Sequence, residues 1–330
     1  MSSPTSFEAP LTIPSVEPSV TLAGILHRKS TASPTSSFAL IIHGTLAHKN
    51  QCYHKLLAAT LPIDSIRIDL RGNADSGGEW GPANFAQDMQ DIQASVAYAR
   101  ATLGYTGVDL LVAHSRGCLA SWLYVGRDEA LRWDERDDDT GAQQQAAPKL
   151  VVASGRYNSA GVLNRDIAAN VPATGYFTWK VRVAGQPRSY RVYLSDLQRM
   201  ARFPTNAVVR RCPPDVPALI LHGTVDQAVP HQDAHGFFET LKEDARRKWD
   251  MQELHFVEGA DHQFKGHYDE VVQRIVGWYD GKMASGVKEL QQGAGNDAQK
   301  RLLRTAQEKA AHIKAKPAPA AQQPQRDAHL

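Results

Sequence analysis

The stretch that most constrains this chain is Val108-Asp109-Leu110-Leu111-Val112-Ala113-His114-Ser115-Arg116-Gly117. Five apolar positions in a run of six predict a buried parallel strand, and the run stops at Ala113-His114-Ser115-Arg116-Gly117. The next residues, Cys118 to Val125, read as a helix. A serine on so tight a strand-to-helix turn adopts a strained backbone, which requires small residues two before and two after it. Ala113 and Gly117 meet that demand. The turn also sets Ser115 beside a helix N-terminus, where free N–H groups bind developing negative charge.

The rest of the chain alternates short apolar runs with helical periodicity. Strands are expected over Val20–His27, Phe38–Ile42, Ser65–Leu70, Leu150–Ser154, Ala218–Leu221 and Leu254–Val257. Phe85, Met89, Ile92, Val96 and Ala99 fall at helical spacing and predict a helix from Asn84 to Leu103. Further helices are expected from a cap at Asn50 to Thr60, after Ser115 to near Trp133, over His231–Arg247 and over Tyr268–Met283. This order predicts an α/β fold: a mostly parallel central sheet with helices on both faces, and a ligand site at the C-terminal edge of the strands. Residues 19–155 and 215–284 make up that core. Residues 1–18, rich in Pro, Ser and Thr, are expected to form a flexible N-terminus. The acidic run 134–139 is expected to be a solvated loop. Residues 156–214 break the alternation and read as a small cap insertion, with a β-hairpin over Tyr176–Val183 and Arg188–Leu194. Beyond 285 the composition predicts a basic, largely disordered tail, since 281–330 carry nine Lys/Arg against four acids.

Composition excludes several classes. No stretch approaches the roughly 20 apolar residues needed to span a bilayer. The first ten residues lack the basic and apolar segments of a secretory signal. The three cysteines are odd in number and far apart, which suits free thiols in a reducing compartment. A cytoplasmic protein is therefore expected, with no membrane span and no nucleic-acid partner. The oligomeric state stays open. His43 and His222 lack a metal-ligand partner at short spacing, and the Gly-rich segment 72–78 is not followed by Gly-Lys-Ser/Thr. No metal and no cofactor is expected.

These motifs, in this order, resemble the α/β-hydrolase superfamily over about residues 36–283, interrupted at 156–214. The resemblance implies Ser115 as nucleophile in a nucleophile elbow. It implies Asp226 as the acid, a few residues after Leu221-His222-Gly223, and His262 as the base, in Gly259-Ala260-Asp261-His262. His43-Gly44-Thr45-Leu46 matches the loop that supplies half of an oxyanion hole, so the backbone N–H groups of Thr45 and Arg116 would hold the oxyanion. Asp69 to Gly78 also resembles a family landmark, with Ala74 at a usual glycine. The layout is most similar to the feruloyl/cinnamoyl-esterase-like branch and to uncharacterised fungal hydrolases. The implied activity is hydrolysis of a small or medium acyl or aromatic carboxylic ester through an acyl-enzyme. A serine aminopeptidase or thioesterase uses the same machinery, and a catalytically inactive binding protein is the alternative of another class.

Each residue also has a plainer role to weigh. Ser115 can cap its helix, and Asp226 can cap a turn. Asp215 rivals Asp226 but precedes its strand. His255 and His267 rival His262, yet one lies inside a strand and the other past the turn. Cys118 suits a small core position, while His43 and His222 suit loop orientation. In the cap, ten basic residues face only Asp166 and Asp196, alongside seven aromatic residues. That charge describes either a solvated face or a surface that steers an anionic or aromatic acyl group inward. On the second reading His114, Trp179, Arg182 and Arg188 are candidate substrate contacts.

Overall fold

The computed structural model describes residues 6–30, 35–127, 147–163, 172 and 174–293. The strands, in chain order, are β1 (Phe7–Pro14), β2 (Thr21–Arg28), β3 (Ser37–Ile42), β4 (Asp64–Ile68), β5 (Gly107–His114) and β6 (Lys149–Ala153), followed by β7 (Tyr176–Val183), β8 (Gln186–Tyr193), β9 (Ala218–Gly223) and β10 (Gln252–Val257). Eight of them form one sheet in the order β1-β2-β4-β3-β5-β6-β9-β10, and β7 and β8 pair separately. From β4 to β10 neighbouring strands run parallel, while β1 and β2 are antiparallel additions at one edge.

The helices are α1 (His54–Thr60), α2 (Phe85–Leu103), α3 (Arg116–Val125), α4 (Leu194–Ala201), α5 (Thr205–Val209), α6 (Gln232–Lys242) and α7 (Tyr268–Gly293). Strand alternation sends Leu40, Ile42, Leu111, Ala113, Val152 and Ile220 to one face, where they join a core with Phe85, Ile92, Leu119, Trp122 and Phe237 of α2, α3 and α6. The intervening residues Ile41, Leu110, Val112, Val151 and Leu219 are fully buried on the other face. Burial on both faces is why these strands read as continuous apolar runs rather than alternating ones. The sheet belongs to a compact unit that ends at Val276.

Several expectations need correction. Residues 7–14 are not a flexible end but the edge strand β1, paired along its length with β2 and carrying the fully buried Ile13. Two prolines disguise it, and both are tolerable because an edge strand leaves one row of backbone groups unpaired. Asn50 does not cap α1. The helix starts after Tyr53, and the Asn50 side chain accepts a hydrogen bond from Arg67 Nε at 3.2 Å instead. Helix α7 continues past Met283 into the segment read as tail. The acidic run 134–139 and everything beyond 293 lie outside the described residues. No described helix is long and apolar enough to cross a membrane.

The β7–β8 hairpin is present, paired Tyr176 to Tyr193 through Val183 to Gln186. Its inward residues Val183 and Val192 form a small separate core with Leu46, Trp80 and Leu197. Arg188 donates to Ala74 O at 3.1 Å and the Tyr190 hydroxyl donates to Gly72 O at 3.1 Å, which fastens the hairpin to the 72–78 loop.

Candidate active site

Ser115, Asp226, His262 and Thr45 come from four loops, after β5, β9, β10 and β3 respectively. The parallel register brings all four to the C-terminal edge of the sheet. Ser115 holds φ 52° and ψ −115°, a conformation costing about 1–3 kcal/mol in a non-glycine residue. Its surroundings over-determine that conformation. The Ser115 N–H donates to Ala153 O at 2.8 Å. A Cβ on Gly117 would fall 2.8 Å from His43 O and 2.9 Å from Ile42 Cγ2, so only glycine lets α3 sit this close to β3. A Cβ on Gly44 would come within 3.0 Å of Ser115 Cβ, so the loop carrying Thr45 abuts the elbow.

His262 Nε2 lies 3.0 Å from Ser115 Oγ, and His262 Nδ1 lies 2.7 Å from Asp226 Oδ2. A carboxylate can only accept, so Nδ1 carries the proton and Nε2 is free to accept one from Ser115. Asp226 Oδ1 accepts from the N–H groups of Ala228 and Val229, both at 2.8 Å. Oδ2 also accepts from His222 Nε2 at 3.1 Å. Burial alone would raise this carboxyl, but hydrogen bonds from His222, His262 and the Val229 amide outweigh it and hold the group well below the usual carboxylate range. The arrangement can pass one proton from Ser115 to His262 while Asp226 stays charged.

His43 takes the loop-orienting role. Its Nδ1 donates to Gly44 O at 2.7 Å and its Nε2 accepts from Leu70 N–H at 2.9 Å, which ties the loop carrying Thr45 to the end of β4. Burial lowers His43 to about 4, so the ring is neutral at physiological pH. Among the described residues no group of three or more His, Cys, Asp or Glu side chains is arranged to hold a metal.

The alpha/beta hydrolase family profile matches residues 39–275. The chain belongs to the alpha/beta hydrolase family. An uncharacterised protein of Saccharomyces cerevisiae is 27% identical over 249 residues, covering 70% of each chain. Among solved structures, Est1E of Butyrivibrio proteoclasticus bound to ferulic acid superposes with a TM-score of 0.60 at 18% identity, covering 83% of this chain and 99% of that one. The esterase domain of a Rhodothermus marinus protein gives 0.56 at 18% identity, covering 82% and 97%. At such identities these structures share the fold.

In this alpha/beta hydrolase the four substrate-contact candidates separate. His114 is buried, at 1% exposure. It packs edge-to-face with His262 at 5.3 Å, and against Tyr53 and Phe264. Arg182 lines a polar cavity of about 550 Å³. So does Ala74, whose carbonyl Arg188 holds. The cavity begins at Leu46 and Gln263, the residues directly after Thr45 and His262, and also includes Lys49 and Asp75. Lys49 Nζ donates to Asp69 Oδ2 at 2.5 Å and to Asp75 Oδ2 at 2.7 Å. Trp179 is partly exposed and packs edge-on to Trp80, at 6.1 Å.

Two groups near the elbow escaped the reading of the sequence. Asp88 accepts from Arg116 Nε at 2.7 Å, and Trp80 packs against both Arg116 and the hairpin. The signal for Asp88 was available: it lies three residues after Phe85 and four before Ile92, on the apolar face of α2, where an unpaired carboxylate would be costly.

Proposed function

We infer that this protein hydrolyses a carboxylic ester of a small or medium acyl or aromatic acid through an acyl-enzyme on Ser115. The observation that carries the reading is the unbroken chain of hydrogen bonds from Asp226 through His262 to Ser115 Oγ. A serine hydroxyl is a weak nucleophile at neutral pH, and the free Nε2 of His262 supplies the base that takes its proton during attack. The tetrahedral oxyanion is received by the backbone N–H groups of Thr45 and Arg116. The Arg116 amide is the first of α3 and has no carbonyl of its own helix to bond. Asp226 stabilises the imidazolium until it protonates the departing alkoxide. Water, deprotonated by the same imidazole, then releases the acid and restores Ser115.

Residues 156–214 act as the cap in this reading. The hairpin tip, with Arg182, covers the polar cavity beside Thr45 and His262, and a small-molecule substrate enters between them. The reading is supported by the family membership and by the esterase named among the structural neighbours.

The test is turnover of a panel with a common acyl group: an oxygen ester, a thioester and an anilide, with Ser115→Ala and His262→Ala beside the unaltered protein. Turnover of the ester that is fastest of the three and abolished in both variants is the expected result. Preference for the thioester or anilide would move the assignment to a thioesterase or peptidase on the same machinery. No turnover of any of them would favour a binding protein.

A further inference from the structure

The guanidinium of Arg116 is the charged group nearest the elbow that the ester-hydrolase reading leaves without a task. It is buried and gripped along its whole edge. Nε donates to Asp88 Oδ2 at 2.7 Å, Nη1 to Pro82 O at 2.6 Å and Nη2 to Gly81 O at 2.8 Å. Its flat faces are covered too, by Phe85 with the ring centroid 4.7 Å from Cζ and by Trp80 at 5.6 Å. A buried ion pair is a poor source of stability, because desolvation consumes most of its Coulomb gain. Its directional bonds instead fix geometry, and a planar fork of donors does so better than an ammonium.

What this grip fixes is the residue that follows the nucleophile. The turn at Ser115 is strained and holds only if its neighbours are pinned. Ser115 is pinned by its N–H on Ala153 O, and Gly117 by its close approach to His43 O. Arg116 lies between them, and its backbone N–H is the one aimed at the oxyanion. The third pin is its own side chain, anchored in α2 and in the 81–82 loop.

Resting on the ester-hydrolase reading, we propose that the Arg116–Asp88 pair is a positioning device for the oxyanion-hole amide of Arg116, contributing to kcat and not to ground-state substrate binding. Trp80 extends the device to the cap. It packs on the guanidinium and meets Tyr190 of the hairpin at 5.4 Å, so hairpin and oxyanion amide share one support.

The test compares the unaltered full chain with Arg116→Lys and Asp88→Asn. Asp88→Asn keeps the shape and a hydrogen-bond acceptor and serves if Arg116→Lys fails to fold. Active sites are counted with a fluorophosphonate. The kcat and KM for p-nitrophenyl acetate are then measured per active site, together with the inhibition constant of a trifluoromethyl ketone, which binds serine as a tetrahedral oxyanion. Arg116→Lys is expected to lower kcat per site on the order of 10- to 100-fold, with KM within about twofold. The inhibition constant should rise by the same factor as kcat falls. A merely structural role would lower the number of active sites and leave that constant unmoved. An unchanged kcat per site and an unchanged inhibition constant in both variants overturn the proposal alone. A wild-type protein that neither labels nor hydrolyses overturns the ester-hydrolase reading, and this proposal with it.

Discussion

Acid should loosen this protein through His43, and the size of the effect follows from its clamp on the loop that carries Thr45. The neutral ring donates to Gly44 O and accepts from Leu70 N–H, and burial lowers it from 6.5 to about 4. A protonated ring has no lone pair for the Leu70 N–H, and its charge would lie fully buried. The unfolded chain therefore takes up this proton first, so stability is lost as pH falls from 6.5 towards about 4 and is fully present above that window. At about 1.4 kcal/mol per pH unit, the whole gap is worth about 3 kcal/mol. Between about pH 7 and about pH 5 the two titration curves differ by about 2 kcal/mol. The perturbation is His43→Gln, because an uncharged amide can still offer one donor to Gly44 O and one acceptor to the Leu70 amide. The assay is urea unfolding of the wild type and the variant at both pH values. The difference between their pH slopes isolates His43 from the other titrating groups. The wild type should lose about 2 kcal/mol more than the variant on acidification. Equal losses within about 0.5 kcal/mol would refute the reasoning, since His43 would then be protonating without breaking its clamp.

Other substitutions probe the remaining parts. Asp226→Asn keeps the shape but forces a donor–acceptor mismatch with His262 and His222, so kcat for an ester should fall on the order of 1,000-fold or more. Gly117→Ala places a methyl 2.8 Å from His43 O, a backbone atom that cannot swing away. It should cost about 1–3 kcal/mol in denaturant and lower kcat as α3 shifts. Arg182→Glu reverses a charge at the cavity beside the proposed triad. It should raise KM for an anionic ester several-fold at low salt and spare a neutral one, and equal effects on both would remove steering from the account.

How much of this was legible in the sequence depended on the range of the interactions. The central strands were readable because burial on both faces leaves uninterrupted apolar runs such as Ala218 to Leu221. The candidate triad was readable because each member lies within a few residues of a strand end, and parallel strands bring those ends to one edge. β1 was not readable, since Pro10 and Pro14 mimic a loop and only pairing with β2 shows that an edge strand tolerates them. Nor was the fate of His114, which is buried by Tyr53, His262 and Phe264, residues that reach it only once the sheet's loops have packed. The support under Arg116 was hidden for a further reason. Asp88 and Trp80 are close in the chain, but Arg116 and Tyr190 lie far from them and from each other, and the four come together only once α2, α3 and the hairpin have packed.

Whether Ser115 is an activated nucleophile is tested most directly by intact-mass analysis after exposure to a fluorophosphonate, wild type beside Ser115→Ala. One stoichiometric adduct on the wild type, mapped by peptide sequencing to Ser115, and none on the variant is the expected result. A folded wild type that takes no adduct, or one that labels equally with Ser115 removed, would contradict it.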